Sequence, residues 1–139
     1  MKKTDDLYKE LGEKRSIDEY FAENSNELMF DSISDLLIYK IAEKNLTKID
    51  VISRSGIEKH YGYQILNGTK NPSRDKLIML GFGIGLDIGE INHLLRKCGY
   101  GELYPRDARD SVIAFALIHR MDVISANEML YERHLKLLE

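Results

Sequence analysis

The chain has no tryptophan, two prolines and one cysteine in 139 residues. Each shortage excludes something. With Cys98 alone no internal disulfide can form, and such sparing use of cysteine fits a reducing compartment. Proline is confined to Pro72 and Pro105, so helical runs meet few forced breaks. Abundant Leu, Ile, Glu and Lys then favour an all-α chain. Long apolar runs are missing too. The longest uncharged one, Leu77–Leu86 (LIMLGFGIGL), is about half of what a membrane-spanning helix needs. The amino-terminal MKKTDDLYKELGEKR has basic residues with no apolar run behind them, so neither a signal peptide nor a membrane partner is expected. A cytoplasmic location is expected.

Reactive constellations are equally scarce. His60, His93, His119 and His134 show no i, i+4 pairing, and Cys98 has no partner at metal-ligand spacing. No nucleophile–base or carboxylate pair stands out. The expectation is therefore no catalytic residue, no metal, no cofactor and no enzymatic activity. Gly81–Gly85 (GFGIG) superficially suggests a phosphate loop. It follows a helix rather than a strand and lacks a Lys-Ser/Thr after it, so a helix end turning into Asp87 is the better reading.

The net charge is −3, which by itself speaks against a polyanionic partner. Its distribution does not. Residues 46–80 carry six basic groups (Lys48, Arg54, Lys59, Lys70, Arg74, Lys76) against three acidic ones, whereas both flanking segments are net negative. Local charge decides where an anion can land.

Helix starts are clearly marked. Ser16-Ile17-Asp18-Glu19 and Asp87-Ile88-Gly89-Glu90 read as capping boxes, and Ser32…Asp35 and Thr47…Asp50 as shorter variants. Apolar spacing gives a helix over about 32–44 with Leu36, Leu37 and Ile41 inward. Two short helices follow, Thr47 to about Arg54 and Ile57 to about Leu66, separated by Ser55-Gly56. Gly68 caps the second. Ser73 opens a helix to about Phe82, and Ile88 one to about Lys97. Pro105 opens one to about His119, and the last covers Ser125 to His134. The total is seven or eight helices with no strand, internal repeat or linker.

Helix, glycine turn, helix, then a basic turn and a supporting helix is the layout of a DNA-reading helix-turn-helix. Leu46-Thr47, Ser55-Gly56, Asn67-Gly68 and Asn71-Pro72-Ser73 fall in the order typical of one family. Over Leu46–Leu95 the chain resembles the lambda-repressor-like, Cro-type (XRE) DNA-binding domain. With the helix near Ser32 as the first of five, the resemblance spans about 65 of the 139 residues. It implies a lambda-repressor-like five-helix domain at 31–98, flanked by an acidic helical segment at 1–30 and a helical extension at 99–139.

The resemblance further implies that the 57–66 helix enters the major groove of double-stranded DNA, with Lys59, His60, Tyr61 and Gln64 reading bases. Gln64 suits an adenine edge and Lys59 a guanine. Glu58 either faces DNA or caps the helix. Phosphates would be held by Thr47 and Lys48 at a helix N-terminus and by Lys70, Asn71 and Ser73 in the turn. Ile52, Gly56, Gly62 and Ile65 would pack the two helices together. Family members usually carry a small residue at the position of Ile52 and a branched one at that of Gly62. The two departures are expected to compensate, Ile52 filling the space that Gly62 leaves.

Residues 99–139 are apolar on more than one helix face, through Val112, Ile113, Phe115, Ala116, Leu117, Ile118, Val123, Ile124, Met129 and Leu130. Such helices must be buried in the chain's own core or against a partner, and a homodimer is expected. No small-molecule effector is indicated. The expected function is a sequence-specific transcriptional regulator. The alternative is an interaction adaptor or antitoxin-like partner that uses the apolar carboxy-terminal helices.

Overall fold

The computed structural model describes residues 2–24 and 32–139. Among them the chain is all-helical: nine α-helices and no strand. None is long and apolar enough to cross a membrane. The chain divides into two compact units, Met1–Asp31 and Ser32–Glu139. The boundary expected near residues 30 and 31 lies outside the described residues. The helices after residue 98 belong to the second unit.

The first unit holds α1 (Thr4–Glu13) and α2 (Ile17–Glu23). Ser16 Oγ accepts from the Glu19 N–H at 3.1 Å and starts α2. Lys3, ahead of α1, makes no side-chain cap bond, and α1 has no start signal in the sequence. Lys2 Nζ donates to Glu10 Oε1 at 2.8 Å and to Asn24 Oδ1 at 2.6 Å, joining the start of α1 to the end of α2.

The second unit runs α3 (Ile33–Glu43), α4 (Lys48–Ser55), α5 (Lys59–Leu66), α6 (Arg74–Ile84), α7 (Ile88–Lys97), α8 (Ala108–Ile118) and α9 (Val123–Glu132). Side-chain oxygens of Ser32, Thr47, Ser73, Asp87, Asp107 and Asp122 accept from an amide three residues on, and Asp87–Glu90 closes a full capping box. Each such cap is worth about 1 kcal/mol.

Three starts differ from the sequence expectation; one is α9, which begins at Val123 behind an Asp122 cap rather than at Ser125. Pro105 does not open α8; it sits in the turn before, and Asp107 caps the helix instead. α5 begins at Lys59 rather than Ile57, because Ile57 is buried in the turn and Glu58 takes the capping position.

α6 is the hub. Leu77, Ile78, Met79, Leu80 and Ile84 are all buried, as a helix wrapped by neighbours requires. α4 and α7 pack against it, α5 against α3 and α4, and α8 joins α7 to α9. Of the GFGIG glycines only Gly85, at φ 81°, ends the helix. Gly81 and Gly83 lie inside it at close crossings. A Cβ on Gly81 would lie 1.9 Å from Ile91 Cδ1, and one on Gly83 2.4 Å from the Val51 carbonyl oxygen.

α8 and α9 send Ile113, Ala116, Leu117, Val123, Ala126 and Leu130 into the core. Phe115, Ile118, Ile124 and Tyr131 remain exposed.

Candidate nucleic-acid interface

The turn between α4 and α5 is built by two residues. Gly56 adopts φ 76°, a left-handed conformation that glycine takes without a Cβ penalty. Buried Ser55 donates its hydroxyl to the Ile52 carbonyl at 2.7 Å and accepts from the Ile57 N–H at 3.2 Å. The hydroxyl thus bridges the last turn of α4 and the chain entering α5.

Where α5 crosses α4, Gly62 meets Ile52. A Cβ at Gly62 would stand 2.7 Å from Ile52 Cγ2 and 3.0 Å from Cγ1. Ile52 and Ile65 are both fully enclosed. The interior glycine of α5 is therefore a packing residue: the isoleucine opposite occupies the space a side chain would need.

With Gly62, Ile65 and Leu66 inward, α5 turns Lys59 and His60 fully outward and leaves Tyr61 and Gln64 half-buried. Glu58 is a cap: its carboxylate accepts from the Tyr61 N–H at 2.8 Å and the His60 N–H at 3.0 Å. Those two backbone bonds, Tyr61's the stronger, hold its carboxyl below the usual range. The N-terminus of α5 thus already carries its own anion.

The basic island divides into committed and uncommitted members. Arg74 donates Nη1 and Nη2 to the two carboxylate oxygens of Asp110 at 3.1 and 3.0 Å, and also reaches the Gly101 and Glu102 carbonyls. Asp75, an acidic neighbour, is gripped in the same bidentate way by Arg109 at 3.0 and 2.7 Å. Lys76 Nζ lies 5.5 Å from the centroid of the Tyr61 ring, within cation–π range. Lys48, Arg54, Lys59 and Lys70 are exposed and make no ion pair among the described residues.

Thr47 and Ser73 accept from the Asp50 and Lys76 amides at 3.2 Å. Each hydroxyl keeps its proton to donate to an anion. Lys70 and Asn71 are exposed in the turn. The turn is pinned to α5 by the Lys70 N–H to the Gln64 carbonyl at 3.1 Å, and to the chain after α7 by the Tyr100 hydroxyl to the Pro72 carbonyl at 2.8 Å. The turn thereby brings the Lys70 backbone against Gln64 at the end of α5, while Lys76 reaches back to Tyr61. Thr47 and Lys48 stand apart, at the opposite end of α4 from the Gly56 turn.

No local pattern in the sequence marks Asp110 or its hold on Arg74, since the partners lie 36 residues apart. Burial favours the neutral acid, but the Arg74 hydrogen bonds and the Tyr104 N–H outweigh it and set the Asp110 carboxyl below its ordinary value. A folded-state value depressed in this way adds stability above the unfolded value, near pH 4, and loses it as the pH falls. Urea midpoints at pH 6 and pH 3 should therefore fall more in the wild type than in Asp110→Asn.

Cys98 is half-buried, and burial pushes its thiol up to about 11, so it stays protonated near neutrality. Among the described residues no cluster of three His, Cys, Asp or Glu side chains could hold a metal. The chain matches no protein-family model, no curated protein sequence and no solved structure.

Proposed function

We propose that the chain is a lambda-repressor-like, sequence-specific DNA-binding regulator that reads the major groove with α5. One observation carries this reading. The α4–Gly56–α5 unit is locked from within by Ser55 and by Ile52 against Gly62, while its outer side presents Lys59 and His60 unencumbered beside half-buried Tyr61 and Gln64. A rigid scaffold with an adaptable polar face is what base reading requires. The uncommitted cations Lys48, Arg54 and Lys70 supply charge for phosphates despite the acidic total. The cap hydroxyls of Thr47 and Ser73 and the side chain of Asn71 complete the anchors.

The chain acts in this account as a homodimer whose two recognition helices read half-sites one DNA turn apart. Exposed Phe115, Ile118, Ile124 and Tyr131 support a partner surface on the carboxy-terminal helices. The same four residues favour the second reading, an interaction adaptor that does not touch DNA. Salt dependence separates the two. A regulator's affinity for duplex DNA falls steeply with salt, and Lys70→Ala reduces the slope by about one. An adaptor has little duplex affinity at any salt.

A further inference from the structure

Two helical hairpins in the second unit repeat each other at an offset of 35 residues. Only seven of the thirty aligned positions between 74–103 and 109–138 are identical, which is why no repeat stands out by eye. Their roles coincide. Asn92 Oδ1 accepts from the Leu103 N–H at 2.9 Å, and Asn127 Oδ1 accepts from the Leu138 N–H at 2.8 Å. The Leu86 amide donates to Gly81 O and the Met121 amide to Ala116 O; Tyr100 to Leu95 O and Leu135 to Leu130 O. Gly85 and Arg120 both take positive φ, as do Gly99 and His134. Ile78 and Ile113, like Leu95 and Leu130, are fully buried. α8 begins one residue early relative to α6.

The ion pairs go further. Arg74 and Asp75 of the first hairpin correspond to Arg109 and Asp110 of the second. Arg74 pairs with Asp110, and Arg109 pairs with Asp75, both bidentately. Arg74 also donates to the carbonyls of Gly101 and Glu102, and Arg109 to their counterparts, Lys136 and Leu137. Reciprocal contact of this kind, i with j and j with i, is the mark of an isologous two-fold pair.

We infer that residues 109–138 are a second copy of the hairpin 74–103, paired with it about an internal pseudo-two-fold axis, and that this pairing fixes the Lys70–Ser73 turn. Arg74 and Asp75 are the first residues of α6, directly after Ser73, so both pairs clamp the helix end that carries the turn. Arg109 and Asp110 are positioning residues, contributed by the second copy. Their effect on DNA rests on the function proposed above; the pairing itself does not.

The test uses the full chain. Asp75→Asn and Arg109→Gln are made singly and together, as are Arg74→Gln and Asp110→Asn. Each single change lowers the melting midpoint by roughly 5 °C. Each double change lowers it by clearly less than the sum of its singles, and the shortfall is similar for the two pairs. Strict additivity in either pair overturns the pairing. Wild-type hydrogen exchange gives a check that needs no variant: the Leu103 and Leu138 amides are protected to a similar degree. Exchange of Leu138 about a hundredfold faster, as in a loose tail, overturns the inference.

With a mixed-sequence duplex of about 30 base pairs as probe, Arg109→Gln weakens binding about tenfold at an unchanged salt slope, whereas Lys70→Ala lowers the slope. Unchanged affinity in Arg109→Gln overturns the positioning role. A wild type that does not bind duplex overturns the proposed function and the positioning role together, and the melting data still decide the pairing.

Discussion

Gly83→Ala lowers the stability of the second unit by about 2 kcal/mol or more, although alanine is the better helix former by nearly 1 kcal/mol. The added methyl would lie 2.4 Å from the Val51 carbonyl oxygen and 3.2 Å from the Ser55 amide nitrogen. These obstacles are backbone, so no rotamer change relieves them. α4 must back away from α6, and α4 also carries the Ser55–Gly56 turn that launches α5. Gly12→Ala is the matched control. Nothing lies within 4 Å of a Cβ at that position in α1, so the propensity gain is realised and α1 is stabilised by up to about 1 kcal/mol. Chemical denaturation of both variants checks the contrast. Equal behaviour would mean that α4 does not cross α6 at Gly83.

The second large effect is at the other crossing. Gly62→Val drives a branched side chain into Ile52, whose Cγ2 stands 2.7 Å from the required Cβ position. A loss of about 2–3 kcal/mol is expected. Ile52→Ala alone leaves a void at a site only 1 % exposed, with a loss of about 2–5 kcal/mol. Together the two changes exchange a large residue across the crossing. The double variant should be more stable than the sum of the singles by at least about 1 kcal/mol. Simple additivity would show that the two positions do not share one space.

Much of the fold is legible because helix starts are written locally. Ser32, Thr47, Ser73 and Asp87 each bond an amide three residues on, and the inward face of Leu36, Leu37 and Ile41 follows from spacing alone. Where the local signal is weak or ambiguous, the reading slips. α1 has no capping side chain, and Pro105 outcompetes the true cap, Asp107. Gly81 and Gly83 look like turn residues, yet their reason is a neighbour distant in sequence: Ile91 of α7 for one, Val51 of α4 for the other.

The candidate site shows the same division. The Ser55-Gly56 turn and the outward Lys59 and His60 follow from short-range pattern. The removal of Arg74 from the basic island does not, because it depends on Asp110, as the neutralisation of Asp75 depends on Arg109. The contact between Tyr61 and Lys76, 15 residues apart, lies beyond easy pattern reading as well, since it spans the turn between α5 and α6.

The proposed reading of base sequence by α5 can be tested on the free protein. The most direct measurement is selection of bound sequences from a random duplex library at two salt concentrations, with wild type and Gln64→Ala. One enriched motif is expected, made of two similar half-sites about 10 base pairs apart. Preference should be relaxed at a single base position per half-site in Gln64→Ala, and recovery should drop sharply at the higher salt. No enriched motif at either salt would contradict it.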